Sequence, residues 1–378
     1  MIAGGGPVGL YLAGRLLQNG ISCLLLEEKK EISHHSKSLG IHPVSLELFF
    51  QAGIADAFIE QGVKIKKGIA FWNRNRIGEI SFSRCPGPFS FVLSLPQWQT
   101  ETIIENWVQS LNPASIIRGT KITNLNQTAD SVSVTYTQGN HEYTVQTGLL
   151  IGCDGKNSIV RKHAGIPFMG NPYPDTYIMG DYTESTAFGP DAAIYLHQDG
   201  LIESFPLPGN FRRWVAKTDS LIENPQPEHL QNIIEQRIGH SLSSAQNAMI
   251  SSFGVQHYLA DRYYAGRVVL AGDSAHVISP IGGQGMNLGW LDAEACAQII
   301  SDAIAQKPDP SALLEKYSSK QKKMAAHAAK RTELNMWLGR KENSGPLVKA
   351  AVHLITKKPL SHLLARIFTM RGLGRWWV

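Results

Sequence analysis

The segment from residue 266 to residue 289 constrains the fold more than any other part of this chain. An apolar run over residues 268–271 ends at Gly272 and Asp273, and a glycine-rich stretch follows over residues 280–289. This pattern predicts a strand that ends on a carboxylate and a glycine loop that opens a helix. Backbone N–H groups in such a loop can approach a flat or anionic ligand, and the helix N-terminus adds partial positive charge there. We therefore expect a cofactor at this loop.

A second glycine motif lies at the start of the chain. Gly4, Gly6 and Gly9 follow a short apolar run, and residues 10–17 carry apolar side chains at helical spacing. A buried-strand run then ends at Glu27. The pattern predicts a βαβ unit in which the glycines permit the turn, the approach of a pyrophosphate and close helix packing, while Glu27 accepts hydrogen bonds from ribose hydroxyls.

The first strand of this unit is short, with about three residues where five or six are usual. We interpret it as clipped, through an earlier initiation site or a gene-model boundary. Residues 1–17 do not fit a signal peptide, because no basic region precedes the apolar run and glycines interrupt it.

A third motif follows the apolar residues 149–151. Asp154 and Gly155 come first, and Ser158 and Arg161 lie at the start of a predicted helix. Alone, this is an ordinary turn with a helix cap. The three motifs in this order resemble the single-component FAD-dependent aromatic hydroxylases, the para-hydroxybenzoate hydroxylase-like family, over residues 1–320.

The resemblance implies roles for individual residues. Asp273 would hydrogen-bond the ribityl chain of FAD, residues 280–287 would lie against the isoalloxazine ring, and Gln97 would contact the flavin. Lys37 lies where the family usually has an arginine near the pyrophosphate, and a lysine cannot form the bidentate fork. The implied cofactor-binding residues are Gly4, Gly6, Pro7, Val8, Gly9, Glu27, Lys37, Gln97, Asp154, Arg161, Gly272, Asp273, Gly282, Gly283, Gly285, Met286 and Asn287, and the implied catalytic residue is Pro280, at the wall where the peroxide forms.

The function that the resemblance implies is an FAD-dependent monooxygenase. It would use NADH or NADPH and O2 to hydroxylate an aromatic or polycyclic substrate through a flavin C4a-hydroperoxide. One alternative is an FAD-dependent binding protein that shelters a reactive intermediate without oxygenating it; substrate-dependent oxidation of NAD(P)H separates the two. A flavin halogenase or reductase on the same scaffold is a further alternative, although the Trp-x-Trp-x-Ile-Pro signature of the halogenases is absent from the sequence.

The expected fold is α/β, with a Rossmann-like FAD-binding lobe, an inserted antiparallel-sheet substrate lobe and C-terminal helices. Short alternating runs and turn residues predict the inserted sheet, and the substrate would lie between the lobes. Tyr195, His197, Arg212 and Arg213 are polar candidates there, each expected to face solvent. The expected boundaries are residues 1–66, 97–167 and 255–310 for the FAD-binding domain, residues 67–96 and 168–254 for the substrate domain, and residues 311–378 for the helical segment.

Composition limits the class of protein. The 378 residues are 43% hydrophobic and 18% charged, and no apolar run reaches the length of a membrane span. Four scattered cysteines lack metal-site spacing and indicate reduced thiols in the cytoplasm, and the 13 histidines include no HxxxH pair. We expect no metal and no nucleic-acid partner, and the sequence leaves the oligomeric state open.

The tail over residues 343–378 carries all the basic excess of a chain whose net charge is +5. Apolar residues at helical spacing, Leu363 to Phe368, and the pair Trp376 and Trp377 give a basic amphipathic pattern that can lie on an anionic membrane. A helix packed on the FAD lobe explains the same pattern, and we favour it because the apolar face is short.

Overall fold

The computed structural model describes residues 1–34, 38–304, 310–340, 345–357 and 360–371. Its strands are β1 (Ile2–Ala3), β2 (Leu25–Glu27), β3 (Gly40–Ile41), β4 (Val63–Ile65), β5 (Lys67–Trp72), β6 (Asn75–Ser81), β7 (Val92–Ser94), β8 (Ile116–Arg118), β9 (Thr120–Gln127), β10 (Val132–Gln138), β11 (His141–Thr147), β12 (Leu150–Gly152), β13 (Phe168–Thr183), β14 (Ala192–Leu196), β15 (Ile202–Leu207), β16 (Phe211–Thr218), β17 (Asn247–Ala260), β18 (Tyr264–Ala265), β19 (Val268–Leu270) and β20 (His276–Val277). Its helices are α1 (Pro7–Gln18), α2 (Pro43–Gln51), α3 (Ala55–Gln61), α4 (Gln97–Leu111), α5 (Ile159–His163), α6 (Pro227–Ile238), α7 (Gln284–Ile304), α8 (Pro310–Leu338), α9 (Pro346–Ile355) and α10 (Leu360–Phe368).

A six-stranded sheet in the order β18-β19-β12-β1-β2-β8 brings the sequence motifs together. The five strands from β19 to β8 run parallel, and only β18 is antiparallel. Because parallel strands present their carboxyl ends at one edge, the turns after β1, β2, β12 and β19 meet at that edge. These are the turns that carry the predicted motifs.

An eight-stranded sheet in the order β20-β17-β13-β16-β15-β14-β5-β6 forms the second layer. The predicted α/β class, with a Rossmann-like lobe and a largely antiparallel inserted sheet, is confirmed by this architecture. One pair differs from the expectation, since β5 joins β14 in parallel. The other neighbours in this sheet are antiparallel.

The sheets differ from the expected domain segments at two strands. Strand β17 crosses the boundary at residues 254 and 255, because it pairs with the long β13 along nearly its whole length. Strand β7 lies within the expected substrate segment 67–96 but pairs with β3 and β4 in a small separate sheet. Turn residues in the sequence indicate where a strand ends. Which strand it pairs with depends on residues far away in the sequence.

The main hydrophobic core lies between the six-stranded sheet and the helices that cover it. It contains fully buried side chains such as Ile2, Leu10 and Trp290, and α1 packs against both α4 and α7. A further antiparallel sheet, β11-β10-β9, borders this core. The helical layer thus holds the glycine turns of the motif edge in place.

The C-terminal helices α9 and α10 dock on the second layer. Ala365 and Phe368 of α10 pack in a cluster with Ile65 and Phe82, and Arg371 donates to Glu47 of α2 at 2.6 Å. In the described ranges, no helix has both the length and the apolar composition that crossing a bilayer requires.

Candidate cofactor site

The turn between β1 and α1 requires glycine for steric reasons. Gly4 has a φ of 101°, and a Cβ at this position would lie 2.4 Å from the carbonyl oxygen of Cys153. A Cβ on Gly9 would lie 2.0 Å from the oxygen of Gly4. Both positions therefore exclude any side chain, as the sequence predicts for close packing of the helix on the sheet.

Gly6 is different, because open space surrounds it. It precedes Pro7 at the start of α1, no side chain caps the helix there, and no atom lies within 4 Å of an ideal Cβ on Gly6. The first N–H groups of a helix have no partner within the helix, and a phosphate satisfies them well. The pyrophosphate of FAD therefore fits this helix end.

Glu27 lies at the carboxyl end of β2, next to the glycine turn. Its carboxylate accepts hydrogen bonds from the backbone N–H of Gly5 at 2.5 Å and of Lys29 at 2.8 Å. A carboxylate can accept about four hydrogen bonds, so Glu27 retains capacity for ribose hydroxyls. Lys37, which the sequence places near the pyrophosphate, lies outside the described residues.

Gln97 begins α4 on the same side of the molecule. Its side-chain amide donates to Glu101 at 2.8 Å, and Glu101 is close enough to Glu27 for the two charges to interact. Burial raises the pKa of the Glu101 carboxyl, and the hydrogen bond from Gln97 opposes that shift. Sequence reasoning missed Glu101, since a polar residue inside a helix carries no local signal.

Asp154 caps the helix that follows β12. Its two oxygens accept from the Ser158 hydroxyl at 2.5 Å and from the Val160 N–H at 3.1 Å. Burial raises the pKa of the Asp154 carboxyl despite these hydrogen bonds. The carboxylate thus shapes the turn at the motif edge.

Arg161 is buried and links two of the motifs. Its guanidinium donates to the carbonyl oxygens of Ser274 and Lys156, each at 2.9 Å, and lies 3.7 Å from the centre of the Phe168 ring. Burial lowers the pKa of Arg161. The bond to Ser274 holds the turn that contains Asp273.

Asp273 lies in a 3-10 turn, Gly272–Ser274, after β19. Its side chain is exposed at the motif edge, although protein atoms surround much of it, and this desolvation raises the pKa of its carboxyl. The neighbouring Ser274 hydroxyl donates to the Gly152 oxygen at 2.6 Å and ties the turn to β12. An exposed carboxylate on a fixed turn is suited to bind the hydroxyls of a ribityl chain.

A buried histidine and aspartate support the same turn and were missed by sequence reasoning. Asp292 of α7 accepts from the Gly272 N–H at 3.0 Å and from His276 Nε2 at 2.5 Å, and neither side chain is exposed. Burial alone would lower the pKa of His276, but the charge and hydrogen bond of Asp292 raise it overall. The pair fixes α7 against the Asp273 turn.

The glycine loop after β20 turns sharply before α7. The Gly283 N–H donates to the Pro280 oxygen at 2.9 Å, and Gly282 and Gly283 have φ values of 92° and 64°. Pro280 is exposed, while Gly285 and Met286 begin α7. The loop therefore presents Pro280 and a helix start on the side predicted for the flavin ring.

The side chain of Asn287 is committed to holding this loop. Its amide donates to the oxygens of Gly40 and Gly283 at 2.8 and 2.7 Å, and its oxygen accepts from the His42 N–H and the Ser45 hydroxyl, both at 2.8 Å. Any contact of Asn287 with a flavin would therefore come from its backbone.

His42 packs beneath the loop and was also missed. Its Nε2 lies 3.2 Å from the Gly282 oxygen, and burial lowers the pKa of His42 to about 4. Because its contacts come from residues 240 positions away in sequence, no local pattern indicates it.

The polar candidates of the eight-stranded sheet lie on opposite faces. Tyr195 and Arg212 belong to the face covered by α6, where Tyr195 stacks on Phe71 and Arg212 pairs with Glu184 at 2.5 Å. His197 lies at the end of β14, 3.5 Å from Asp199. The expectation that Tyr195, Arg212 and Arg213 face solvent is wrong, since Tyr195 is buried and both arginines are buried ion-pair partners.

The opposite face, which we call the front face, meets the glycine loop. Ile281 of the loop packs in one buried cluster with Tyr177, Met179 and Val215 of the sheet. Glu203 and Arg213 point to this side by strand alternation, and Arg213 pairs with Asp181 at 2.6 Å. The front face and the glycine loop therefore pack directly against each other.

The described parts of the chain contain no group of three or more His, Cys, Asp or Glu side chains arranged to hold a metal ion. Their cysteines, Cys23, Cys85, Cys153 and Cys296, are unpaired thiols.

Comparison with known proteins agrees with this site. Residues 1–332 match the family model described as FAD binding domain. The chain is 31% identical over 301 residues to a rifampicin monooxygenase of Streptomyces venezuelae, covering 78% of this chain and 62% of that protein. It is also 31% identical over 354 residues to a 12-dehydrotetracycline 5-monooxygenase/anhydrotetracycline 6-monooxygenase of Streptomyces rimosus, covering 88% of this chain and 68% of that protein.

Among solved structures, the Diels-Alderase PyrE3 of pyrroindomycin biosynthesis is similar, with a TM-score of 0.83 and 27% identity over 97% of this chain and 79% of that one. The chain spans about two thirds of the length of the two monooxygenases. The family match covers most of its residues and all three cofactor motifs. The chain therefore belongs to the FAD-binding domain family of flavin-dependent aromatic monooxygenases.

Proposed function

We propose that this chain is an FAD-dependent monooxygenase that uses NAD(P)H and O2 to hydroxylate an aromatic or polycyclic substrate. The observation that carries the proposal is the meeting of the open Gly6 helix end, Glu27 and exposed Asp273 at one sheet edge, beside the loop that faces the front face. The monooxygenase relatives support the same chemistry.

We assign the cofactor contacts as follows. The pyrophosphate would lie at the N-terminus of α1, the adenosine ribose at Glu27, the ribityl chain at Asp273 and the ring along residues 280–287. FAD supplies electron transfer and oxygen activation when bound. The protein supplies orientation, and the apolar front face excludes water from the reacting ring.

The decisive test has a cofactor arm and a product arm. The purified protein should be yellow with bound FAD, and Asp273→Ala should lose the flavin, because charged hydrogen bonds worth about 1.5–3 kcal/mol each are removed. Asp261→Ala is the control, since Asp261 is an exposed ion-pair partner of Lys322 and is not among the predicted cofactor-binding residues. A colourless wild type that FAD cannot reconstitute would contradict the assignment.

The product arm screens phenols and fused-ring aromatics for NAD(P)H consumption under ¹⁸O2. One labelled oxygen atom in the product is the expected result, and comparison of NADH with NADPH identifies the reductant. The free thiols are compatible with the cytoplasmic location that we propose.

A second candidate is an FAD-binding protein that guides a reactive intermediate without oxygenating it. The similarity to the Diels-Alderase PyrE3 favours this candidate. It predicts a product without labelled oxygen and no substrate-dependent consumption of NAD(P)H.

A further inference from the structure

Glu203 occupies an unusual position on the front face. It lies on β15, opposite Val215 of β16 and Ile194 of β14 in the sheet register. Both neighbours are apolar members of the cluster that includes Ile281 of the glycine loop. The sheet therefore places a carboxyl group on the face that packs against the glycine loop.

Among the described residues, the Glu203 side chain forms no hydrogen bond or ion pair. The residue is only 6% exposed. The cations on this face have other acceptors: Arg213 donates to Asp181 at 2.6 and 2.8 Å, and Arg340 donates to Asp175 at 2.7 Å. Lys217 lies 3.7 Å from Asp175. Burying a carboxyl without a partner is unfavourable, so a ligand contact would explain its presence.

A second unsatisfied group lies near Glu203. The Tyr177 hydroxyl is buried without a hydrogen-bond partner among the described residues. Burial raises the pKa of Tyr177, and the charge of Glu203 raises it further. Two polar groups without partners beside one apolar cluster indicate a small polar contact point for a ligand.

We propose that Glu203 accepts the proton of a ring hydroxyl on the substrate, and that the substrate is a neutral fused-ring phenol without a carboxylate. The inference rests on the proposed monooxygenase function. The O–H bond of the substrate breaks, an O–H bond forms on the Glu203 carboxylate, and the electron pair stays on the phenolate oxygen. No electron is gained or lost in this step, and the phenolate ring becomes a better nucleophile toward oxygen.

The ionisation of Glu203 suits this role. Burial raises the pKa of its carboxyl to about 7, and a general base is most effective when its pKa lies near the working pH. The ionised carboxylate would also repel an arene carboxylate. His257 on β17 stacks on Tyr173 beside the same cluster, and burial lowers the pKa of His257, so both titrating groups must be separated by experiment.

The experiment uses FAD-loaded protein and two probes, 2-naphthol and 2-naphthoate. Their binding is measured through the visible spectrum of the bound flavin between about pH 5.5 and 8.5. Wild type should bind 2-naphthol at least tenfold more tightly than 2-naphthoate, and its affinity for 2-naphthol should rise with pH through about 7, as Glu203 ionises.

Glu203→Gln should weaken 2-naphthol binding about tenfold and abolish the rise with pH, because an amide cannot accept the proton. Glu203→Asp should restore a pH-dependent response with lower affinity. Glu142→Gln is the matched control on exposed β11 and should behave as wild type. His257 remains in every variant, so a pH response lost only in Glu203→Gln belongs to Glu203.

The proposal is overturned if wild type does not bind 2-naphthol, prefers 2-naphthoate, or shows the same pH profile as Glu203→Gln. The FAD content of each variant reports whether it has folded. These outcomes leave the monooxygenase function standing if wild type incorporates labelled oxygen into another substrate. Failure of both FAD binding and oxygen incorporation would instead reject the proposed function itself.

Discussion

At the scale of single residues, two adjacent acids lie in different surroundings and have different partners. Glu27 bonds the backbone of the glycine turn, whereas the side chain of Glu28 is exposed and pairs with Lys121 at 3.0 Å. Both follow the same apolar run in sequence. Only the first lies where a ribose would meet the turn.

We therefore predict that Glu27→Ala weakens FAD binding by about 1–2 kcal/mol, the scale of a lost hydrogen bond to a charged group. This corresponds to about a tenfold increase in the FAD dissociation constant, measured by fluorescence titration. Glu28→Ala is the matched control and should leave the constant unchanged. Equal effects in the two variants would show that Glu27 does not hold the ribose.

A second prediction at this scale concerns His42 and acid stability. Burial lowers its pKa to about 4, whereas an unfolded histidine titrates near 6.5. Between these values the unfolded state binds more protons, so the free energy of unfolding decreases as the pH falls through this window. His42→Gln should flatten the fall in Tm from about pH 6.5 to about pH 4.

The control for this measurement is His141→Gln, because His141 is exposed on β11. Its Tm should follow the wild-type pH curve. If His42→Gln and wild type lose stability in parallel across the window, protonation of His42 does not contribute to acid unfolding.

At the scale of elements, the β1 to α1 turn contains glycines with different purposes. Gly9 is required for packing within the protein, whereas Gly6, with φ −75° and ψ −178°, has a backbone conformation open to any residue. The fold alone therefore does not require glycine at position 6. A pyrophosphate at the helix N-terminus, as proposed, would require it.

Gly6→Ala should leave the Tm of the FAD-free protein close to wild type but weaken FAD binding at least tenfold, because the methyl group enters the pyrophosphate space. Gly9→Ala should lower the free energy of unfolding of the FAD-free protein by about 1–3 kcal/mol through overpacking. Thermal unfolding and FAD titration separate the two effects. Unchanged FAD affinity in Gly6→Ala would place the pyrophosphate elsewhere.

At the scale of the whole molecule, the C-terminal helices join the two layers. Thr369 lies 3.8 Å from the sulfur of buried Cys85, and a Cβ on Gly78 of β6 would overlap Thr356. These contacts support the docked alternative for the basic tail. Leu354 and Leu363 remain exposed, and Lys358, Arg375, Trp376 and Trp377 lie outside the described residues.

We predict that a chain ending at Gly345 has a lower Tm than the full chain, since Phe82, Cys85 and their neighbours lose their cover. The full chain should not co-sediment with anionic vesicles. As point variants, Arg371→Ala should lower the Tm because it breaks the pair with Glu47, whereas Arg366→Ala, at an exposed position, should not. Salt-sensitive vesicle binding that disappears on truncation would favour the membrane alternative.

The sequence by itself determined the features that depend on short segments. Each cofactor motif is a local unit of strand, turn and helix, so the glycines near Gly4 and Gly282, the strand-end acids Glu27 and Asp273, and the α/β class could all be predicted. Steric limits on φ act within a few residues. The positive φ values at Gly4, Gly282 and Gly283 are therefore a local property of these turns.

Only the tertiary structure decided which side chains meet across the chain. Arg161 proved to be a buried link to Ser274, Asn287 a loop anchor and His42 a support, because each depends on a partner more than a hundred residues away. Asp292 supports the Asp273 turn because α7 packs back against that turn and brings it to Gly272 and His276. Glu203 shows the same limit: alternation predicts that one face of β15 is buried, but only the tertiary packing decides that this carboxyl lies on the face that packs against the glycine loop.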